Sequence, residues 1–290
     1  MSRMRLANWL LALLMPVSAA MAQTPGAAAG IAPGRSPTGL IRQVDGSLLA
    51  PEIDVIKRRG ALIVAILGVD QPPYFFEKNG TLAGLDVGLA RELAAGLGVR
   101  LEVDRSARTF DQVLDVLAEG KADLAISKLS RTLRRAGFVV FSQPYLSLNQ
   151  ALLVDRVAFA KRTQRQSVGE AVRGYKGKIG VWEQSSYANY VAKQFPHAEV
   201  RRYASWDAVI DALEAGEIEA AYRDEYEIKK ILAAEPAKAL RLRMITLDDV
   251  FDRFSVAINL NAPALLNYVN LYLEMRGEPL DINDVIQASR

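Results

Sequence analysis

The chain has 290 residues, of which 50% are hydrophobic and 24% are charged, and its formal net charge at pH 7 is +3. This composition is typical of a globular protein long enough for two lobes, each with its own core. The small net charge excludes the concentrated basic surface of a nucleic-acid binder and the charged tails of disordered interaction segments. The chain has no cysteine, so it can form no disulfide and offers no thiol for a lipid anchor.

The amino terminus has the pattern of a secretory signal peptide. Arginines precede an apolar run of about a dozen residues, too short to cross a bilayer, and Ala20-Met21-Ala22 has the small-x-small pattern of a cleavage site. We therefore expect a signal peptide over residues 1–22, cleavage near Ala22 and a soluble periplasmic product. Residues 23–49 are rich in Gly, Ala, Pro and Ser, which predicts a flexible leader.

From Gly60 onwards the chain alternates between short apolar strands and amphipathic helices. Residues 61–67 form an apolar, β-branched run typical of a buried parallel strand. Leucines then recur every four residues over 85–97, as on one face of a helix. The pattern indicates an α/β fold.

An internal repeat divides this α/β region in two. Residues 109–126 align without gaps with residues 205–222, and each copy follows a predicted strand. Two unrelated amphipathic helices could also look alike, but the matching surroundings favour two similar α/β lobes. The identical pairs are Asp111/Asp207, Val113/Val209, Asp115/Asp211, Leu117/Leu213, Gly120/Gly216 and Ala125/Ala221.

The predicted lobes are discontinuous, and each is expected to be a mainly parallel sheet flanked by helices. The first comprises residues 50–150 and 252–290, and the second comprises residues 151–251. Crossing strands near 151–154 and 254–258 would form a hinge. Because such sheets bind ligands at the carboxyl ends of their strands, the site is predicted in the cleft between the lobes.

Residues with suitable chemistry follow the strands at these edges. Ser130 and Thr132 lie after the strand ending at residue 126, and either can cap a helix whose free N–H groups bind an anion. The planar guanidinium of Arg135 can bind a carboxylate through two parallel hydrogen bonds. Ser186 is placed similarly in the second lobe, and Asp224 is an acid suited to an ammonium group.

Longer motifs resemble one family of proteins. The stretches are Pro72-Pro73-Tyr74-Phe75-Phe76, Gly84-Leu85-Asp86-Val87, Gly120-Lys121-Ala122-Asp123-Leu124-Ala125-Ile126, Leu129-Ser130-Arg131-Thr132-Leu133-Arg134-Arg135-Ala136 and Phe141-Ser142-Gln143-Pro144-Tyr145. They are similar to motifs of the family 3 bacterial extracellular solute-binding proteins, over roughly residues 50–280. The resemblance implies a type II periplasmic-binding-protein fold and an amino-acid receptor for an ABC importer.

The resemblance also implies roles for individual residues. Arg135 would bind the α-carboxylate of the ligand with help from Ser130 and Ser186, and Asp224 would bind its α-ammonium. Phe110 would stack on the ligand side chain, although its helical stripe could equally bury it.

Three further pocket positions depart from the family pattern. Gln71 replaces an aromatic residue of the family. Trp182 lies at a rim position where the family often has a smaller residue, and Lys128 stands where the family has Gly or Ser. If Lys128 points into the cleft unpaired, a dicarboxylate or an acidic amino acid fits best. If it pairs with Glu183, the pair would form a latch around a neutral polar amino acid. Lys128 could also extend its ammonium to solvent.

These observations favour a binding protein without catalytic residues, metal or cofactor. Its expected partners are a small-molecule ligand and an ABC permease in the inner membrane, but no nucleic acid, and it is expected to be a monomer. The single histidine, His197, lies in a loop that we expect to be exposed. The alternatives are a dehydratase-like enzyme on the same scaffold, with Glu183 facing the cleft, and a periplasmic ligand sensor.

Overall fold

The computed structural model describes residues 38–162 and 167–290, so the expected signal peptide and most of the expected leader lie outside the described residues. The chain divides into two units at Leu48/Leu49. Within the expected leader, the structure has a two-stranded sheet of β1 (Ile41–Arg42) and β2 (Leu48–Leu49). The rest of the description concerns the unit that ends at Arg290.

The first part of this unit alternates strands and helices as the sequence predicts. Its elements are α1 (Pro51–Arg59), β3 (Ala61–Ala65), β4 (Phe76–Lys78), β5 (Thr81–Ala83), α2 (Leu85–Leu97), β6 (Arg100–Asp104), α3 (Phe110–Ala118), β7 (Leu124–Ala125), a 3₁₀ turn (Arg135–Gly137) and β8 (Val140–Asp155).

The second part repeats the alternation and ends in two helices. Its elements are α4 (Arg156–Arg162), α5 (Val168–Arg173), β9 (Lys178–Trp182), α6 (Tyr187–Gln194), β10 (Glu199–Tyr203), α7 (Trp206–Glu214), β11 (Ala220–Asp224), α8 (Glu225–Ala234), α9 (Lys238–Arg241), β12 (Leu242–Ile258), α10 (Pro263–Arg276) and α11 (Ile282–Ala288).

One eight-stranded sheet organises the unit, in the order β10-β9-β11-β8-β12-β7-β3-β6. The long strands β8 and β12 are antiparallel and lie at its centre. On one side β3 pairs in parallel with β6 and β7, and on the other β9 pairs in parallel with β10 and β11. We call the β3/β6/β7 side, with its helices, the first half, and the β9/β10/β11 side the second half. The predicted α/β class is confirmed, and the parallel strands of the two halves are joined through β8 and β12 into one mixed sheet.

The internal repeat has a structural counterpart. Helices α3 and α7 both have nine residues and both start at a hydroxyl cap: Thr109 accepts from the backbone N–H of Gln112, and Ser205 from that of Ala208. The chain turns after each helix at a glycine with positive φ, +71° at Gly120 and +76° at Gly216. Each turn leads into a strand, β7 or β11, which extends a parallel sheet.

The hydrophobic cores follow the two halves. One large core fills the first half and includes Leu265, Val269 and Val285 from the carboxyl-terminal helices α10 and α11. Two other cores lie in the second half, one around Tyr222 and one around Trp206. Over the described ranges, no helix has both the length and the hydropathy needed to cross a membrane.

Candidate functional site

A single small cavity between the two halves is lined by all eight residues that the sequence singled out. Its volume is about 30 Å³, room for about one water molecule. The lining consists of Gln71, Phe110, Lys128, Ser130, Arg135, Trp182, Ser186 and Asp224, together with Ser185, Tyr187, Arg223 and Phe254. A larger groove of about 880 Å³, lined in part by Tyr190 and Phe251, includes none of the eight.

The backbone of Lys128 is held in an unusual conformation directly after β7. Its φ of +46° lies in the left-handed region, which is unfavourable for a residue with a Cβ. Its N–H donates to Oδ2 of Asp86 at 2.6 Å and to the hydroxyl of Tyr145 at 3.2 Å, and Tyr145 in turn donates to Oδ1 of Asp86 at 2.9 Å. Burial raises the pKa of Asp86 to about 7, although the hydrogen bonds from Tyr145 and Lys128 oppose the shift.

The side chain of Lys128 crosses from the first half to the second. Its ammonium lies 3.0 Å from Oδ2 of Asp224 and 3.3 Å from Oε1 of Glu227. It also lies 4.5 Å from the centre of the Tyr74 ring, a cation–π distance. The side chain is only 4% exposed. All three alternatives for Lys128 are therefore wrong: it is neither unpaired nor solvated, and its partners are Asp224 and Glu227 rather than the exposed Glu183.

Asp224 ends β11 and caps α8, and both of its oxygens have partners. Oδ1 accepts the backbone N–H of Glu227 at 3.1 Å, while Oδ2 accepts from Lys128. The Nε of Arg223 lies 4.0 Å from Oδ2. Burial acts to raise the pKa of Glu227, but the charge of Lys128 and the neighbouring cations hold that pKa well below its usual range. The acid that the sequence assigned to a ligand ammonium thus binds an ammonium of the chain itself.

Arg135 lies in the 3₁₀ turn and is 5% exposed. Its Nε and one terminal nitrogen lie 3.3 and 3.1 Å from Oδ1 of Asp111, and the other terminal nitrogen donates to the backbone carbonyl of Ser130 at 3.1 Å. Partial burial acts to raise the pKa of Asp111, but the ion pairs with Arg134 and Arg135 outweigh it and lower that pKa. A guanidinium carries five N–H groups, so Arg135 can still donate to a carboxylate in the cavity.

Of the two expected caps, only Thr132 accepts a backbone N–H, from Arg135 at 3.2 Å. The predicted helix is wrong, because only the three-residue turn Arg135–Gly137 forms there. The chain at Ser130 instead pairs with Phe254 of β12, and β8 starts soon after the turn, which leaves no room for a longer helix. In the second half, Ser186 does stand at the N-terminus of α6.

Ser130 and Ser186 connect the two halves. Their hydroxyl oxygens lie 2.8 Å apart, and Ser130 also donates to Oδ2 of Asp252 at 2.8 Å. Asp252 is 1% exposed, and burial, with a smaller contribution from Asp224, raises its pKa to about 6. Sequence reasoning missed Asp252, because nothing distinguishes it from the acids at 248 and 249 in the same stretch.

Aromatic rings close one side of the cavity. Phe110 and Trp182 meet edge to face across the cleft with ring centres 5.9 Å apart. The guanidinium of Arg223 lies 5.4 Å from the ring centre of Trp182 and 4.9 Å from that of Trp206. The sequence analysis also missed Arg223 as a residue of the cavity. Its place beside Asp224, at the carboxyl end of a predicted strand, could have indicated that role.

Three polar atoms of the cavity lining are buried without a hydrogen-bond partner among the residues that the structure describes: Nε1 of Trp182, Oε1 of Gln71 and the hydroxyl oxygen of Tyr187. Such groups are costly to bury alone, and a polar ligand could satisfy them. Three cations of the described chain line the cavity, Lys128, Arg135 and Arg223. Lys128 pairs with Asp224 and Glu227 and Arg135 pairs with Asp111, but both guanidinium groups have further N–H groups to donate. The cavity is therefore suited to an anion. Within residues 38–162 and 167–290, no group of three or more metal-binding side chains occurs.

Comparison with known proteins gives the same family as the motifs. The model for bacterial extracellular solute-binding proteins, family 3, matches residues 62–273. An arginine-binding periplasmic protein of Mannheimia haemolytica is 26% identical over 163 residues, which make up 56% of this chain and 62% of that protein. The matched stretch thus spans about three fifths of that relative's length.

Solved structures of amino-acid-binding proteins share the fold. The substrate-binding protein AbpA of an amino acid ABC transporter from Streptococcus pneumoniae, bound to L-arginine, has a TM-score of 0.61 at 25% identity, covering 81% of this chain and 95% of AbpA. The ancestral amino acid-binding protein AncCDT-1, a precursor of cyclohexadienyl dehydratase, has a TM-score of 0.60 at 26% identity, covering 81% of this chain and 96% of that one. With the family model matching most of its length, the chain belongs to the bacterial extracellular solute-binding proteins, family 3.

Proposed function

We propose that the chain captures a small carboxylate, an amino acid or a related compound, in the cleft between its halves and delivers it to an ABC permease in the inner membrane. The observation that carries the proposal is the small cavity lined by Arg135 and two further cations. A guanidinium with N–H groups to spare binds a carboxylate through charge-assisted hydrogen bonds. The arginine-binding and amino-acid-binding proteins described above support this ligand class.

Capture requires the halves to move. The cavity of about 30 Å³ is far smaller than the roughly 300–1,000 Å³ typical of small-molecule sites. We propose that residues 50–150 with 252–290, and residues 151–251, are lobes that open about the central strands β8 and β12. The shared core of the first half and the carboxyl-terminal helices supports these boundaries. A ligand that contacts both lobes would favour the closed form.

We also propose that the mature protein is a periplasmic monomer released by cleavage near Ala22, and that it binds its ligand without chemical turnover. The acid considered for catalysis, Glu183, is exposed and is not part of the cavity lining. Incubation of the protein with each ligand, followed by mass spectrometry, tests the absence of turnover. A product that accumulates with time would support the dehydratase-like alternative.

The two neighbouring arginines provide a matched test of the binding site. Arg134 and Arg135 both pair with Asp111, but only Arg135 is buried and lines the cavity. Calorimetry should show that Arg135→Ala weakens the affinity for a carboxylate ligand at least tenfold, because about 1.5–3 kcal/mol is lost with a charged hydrogen bond. Arg134→Ala should leave the affinity unchanged. Equal affinities in both variants and the wild type would remove Arg135 from the site.

A further inference from the structure

We propose that Lys128 is a built-in ammonium group that makes the cleft select carboxylates without an α-ammonium, such as 2-oxo or 2-hydroxy acids, over the matching α-amino acids. This inference rests on the proposed function and narrows its ligand class.

The surroundings of Asp224 leave no place for a ligand ammonium. An α-ammonium needs a carboxylate partner when it leaves water. Among the residues that the structure describes, Asp224 is the only carboxylate in the cavity lining, and its two oxygens already accept from Lys128 and from the backbone of Glu227. A ligand ammonium placed there would meet the ammonium of Lys128, a like charge in a buried site. An amino acid would therefore have to displace Lys128 from its ion pairs.

Both the backbone and the ammonium of Lys128 are held in place. Asp86 and Tyr145 fix its backbone in the left-handed conformation. Asp224, Glu227 and the Tyr74 ring surround its ammonium. A strained backbone persists only where its surroundings determine it, and such positions cluster at functional sites. Lys128 is thus part of the wall of the cleft rather than a mobile surface side chain.

The remaining hydrogen-bond donors of the cleft suit a carboxylate with a neutral oxygen at its second carbon. Two of the three N–H groups of Lys128 serve Asp224 and Glu227, which leaves one donor for a neutral oxygen. A 2-oxo or 2-hydroxyl oxygen can accept from it, whereas an ammonium cannot. Arg135 and Arg223 lie in the same lining, as does Trp182 with its buried N–H. Together they can hold the carboxylate of such a ligand.

Paired ligands test the inference by calorimetry. We would titrate pyruvate against L-alanine, 2-oxoglutarate against L-glutamate, 4-methyl-2-oxopentanoate against L-leucine and phenylpyruvate against L-phenylalanine, with the corresponding 2-hydroxy acids. The wild type should bind at least one oxo or hydroxy acid ten times more tightly than its amino acid. Lys128→Met should reduce that preference at least tenfold. Lys230→Met should retain it, because Lys230 pairs with Glu227 from a position 45% exposed and outside the lining.

The possible outcomes separate this inference from the proposed function. A wild type that binds an amino acid more tightly than its oxo and hydroxy counterparts would overturn the inference and leave the proposed function standing. Binding of neither class would overturn both. A preference that survives in Lys128→Met would show that Lys128 does not determine it. If Lys128→Met does not fold, Lys128→Gly suits the positive φ, and the wild-type preference itself needs no variant.

Discussion

Removal of the Lys128 charge should destabilise the protein substantially at neutral pH. In Lys128→Met, Asp224 and Glu227 lose an ammonium that lies 3.0 and 3.3 Å from their oxygens in a buried site. Removing one partner of a buried ion pair costs about 3–5 kcal/mol. Arg223, 4.0 Å from Asp224, and Lys230, 2.7 Å from Glu227, remain and compensate in part. We therefore expect a loss of about 2–3 kcal/mol in the free energy of unfolding.

The stability difference between the wild type and Lys128→Met should depend on pH. In the wild type the pKa of Glu227 is held low, so its ionised form stabilises the fold above its unfolded pKa, and this contribution is lost as pH falls. In Lys128→Met the pKa of Glu227 should rise, because Glu227 and Asp224 then repel each other without the ammonium between them. Protonation of Glu227 at lower pH relieves this repulsion. The difference between the two proteins should thus shrink as pH falls from 7 to 4.

Urea unfolding of the wild type and Lys128→Met, at pH 7 and in steps down to pH 4, measures this difference. Lys230→Met is the control and should lose less than about 1 kcal/mol, because its ammonium is partly solvated. Adding Asp224→Asn to Lys128→Met should recover part of the lost stability. A loss below about 1 kcal/mol at pH 7 would show that the ion pairs of Lys128 do not stabilise the fold as buried pairs do. A loss that does not change with pH would show the same.

Three further substitutions test other parts of the site. The pKa of Asp86 is raised to about 7, so the stability conferred by its protonated form is lost as pH rises from about 4 to 7. Asp86→Asn should therefore flatten the melting temperature as a function of pH in this range. An unchanged slope would show that Asp86 does not cause this pH dependence. Ser186→Ala removes the 2.8 Å contact with Ser130 and should lower the free energy of unfolding in urea by about 1 kcal/mol. No loss would show that this contact does not stabilise the two halves against each other. Trp182→Phe replaces the indole by a smaller aromatic ring and removes an N–H without a partner among the described residues. Calorimetry should show weaker ligand binding, and unchanged affinity would exclude Trp182 as a ligand donor.

The sequence predicted the fold and the composition of the cavity well, for identifiable physical reasons. Helical spacing, hydroxyl caps and terminal glycines are local signals, and they mark both α3 and α7. Residues at the carboxyl ends of parallel strands share one edge, so the order of strands and helices along the chain is enough to bring Lys128, Trp182 and Asp224 together. The roles of these residues toward a ligand remain predictions.

The pairing of the charges could not be predicted in the same way. Lys128 and Asp224 are 96 positions apart, and the sequence does not show whether the lysine meets Asp224, Glu183 or solvent. Asp111 is the partner of Arg135. In the sequence it was only one residue of a repeated amphipathic helix, and nothing indicated that it would contact a residue of the cleft. Such contacts depend on how the two halves meet, which short-range patterns do not encode.

A crystal structure of the complex with the tightest-binding carboxylate would show where the ligand binds. We predict that its carboxylate contacts Arg135 and Trp182, with Lys128 still paired to Asp224 and the cavity enlarged. A ligand in the groove beside Tyr190 and Phe251, with the cleft between the halves unchanged, would contradict this prediction.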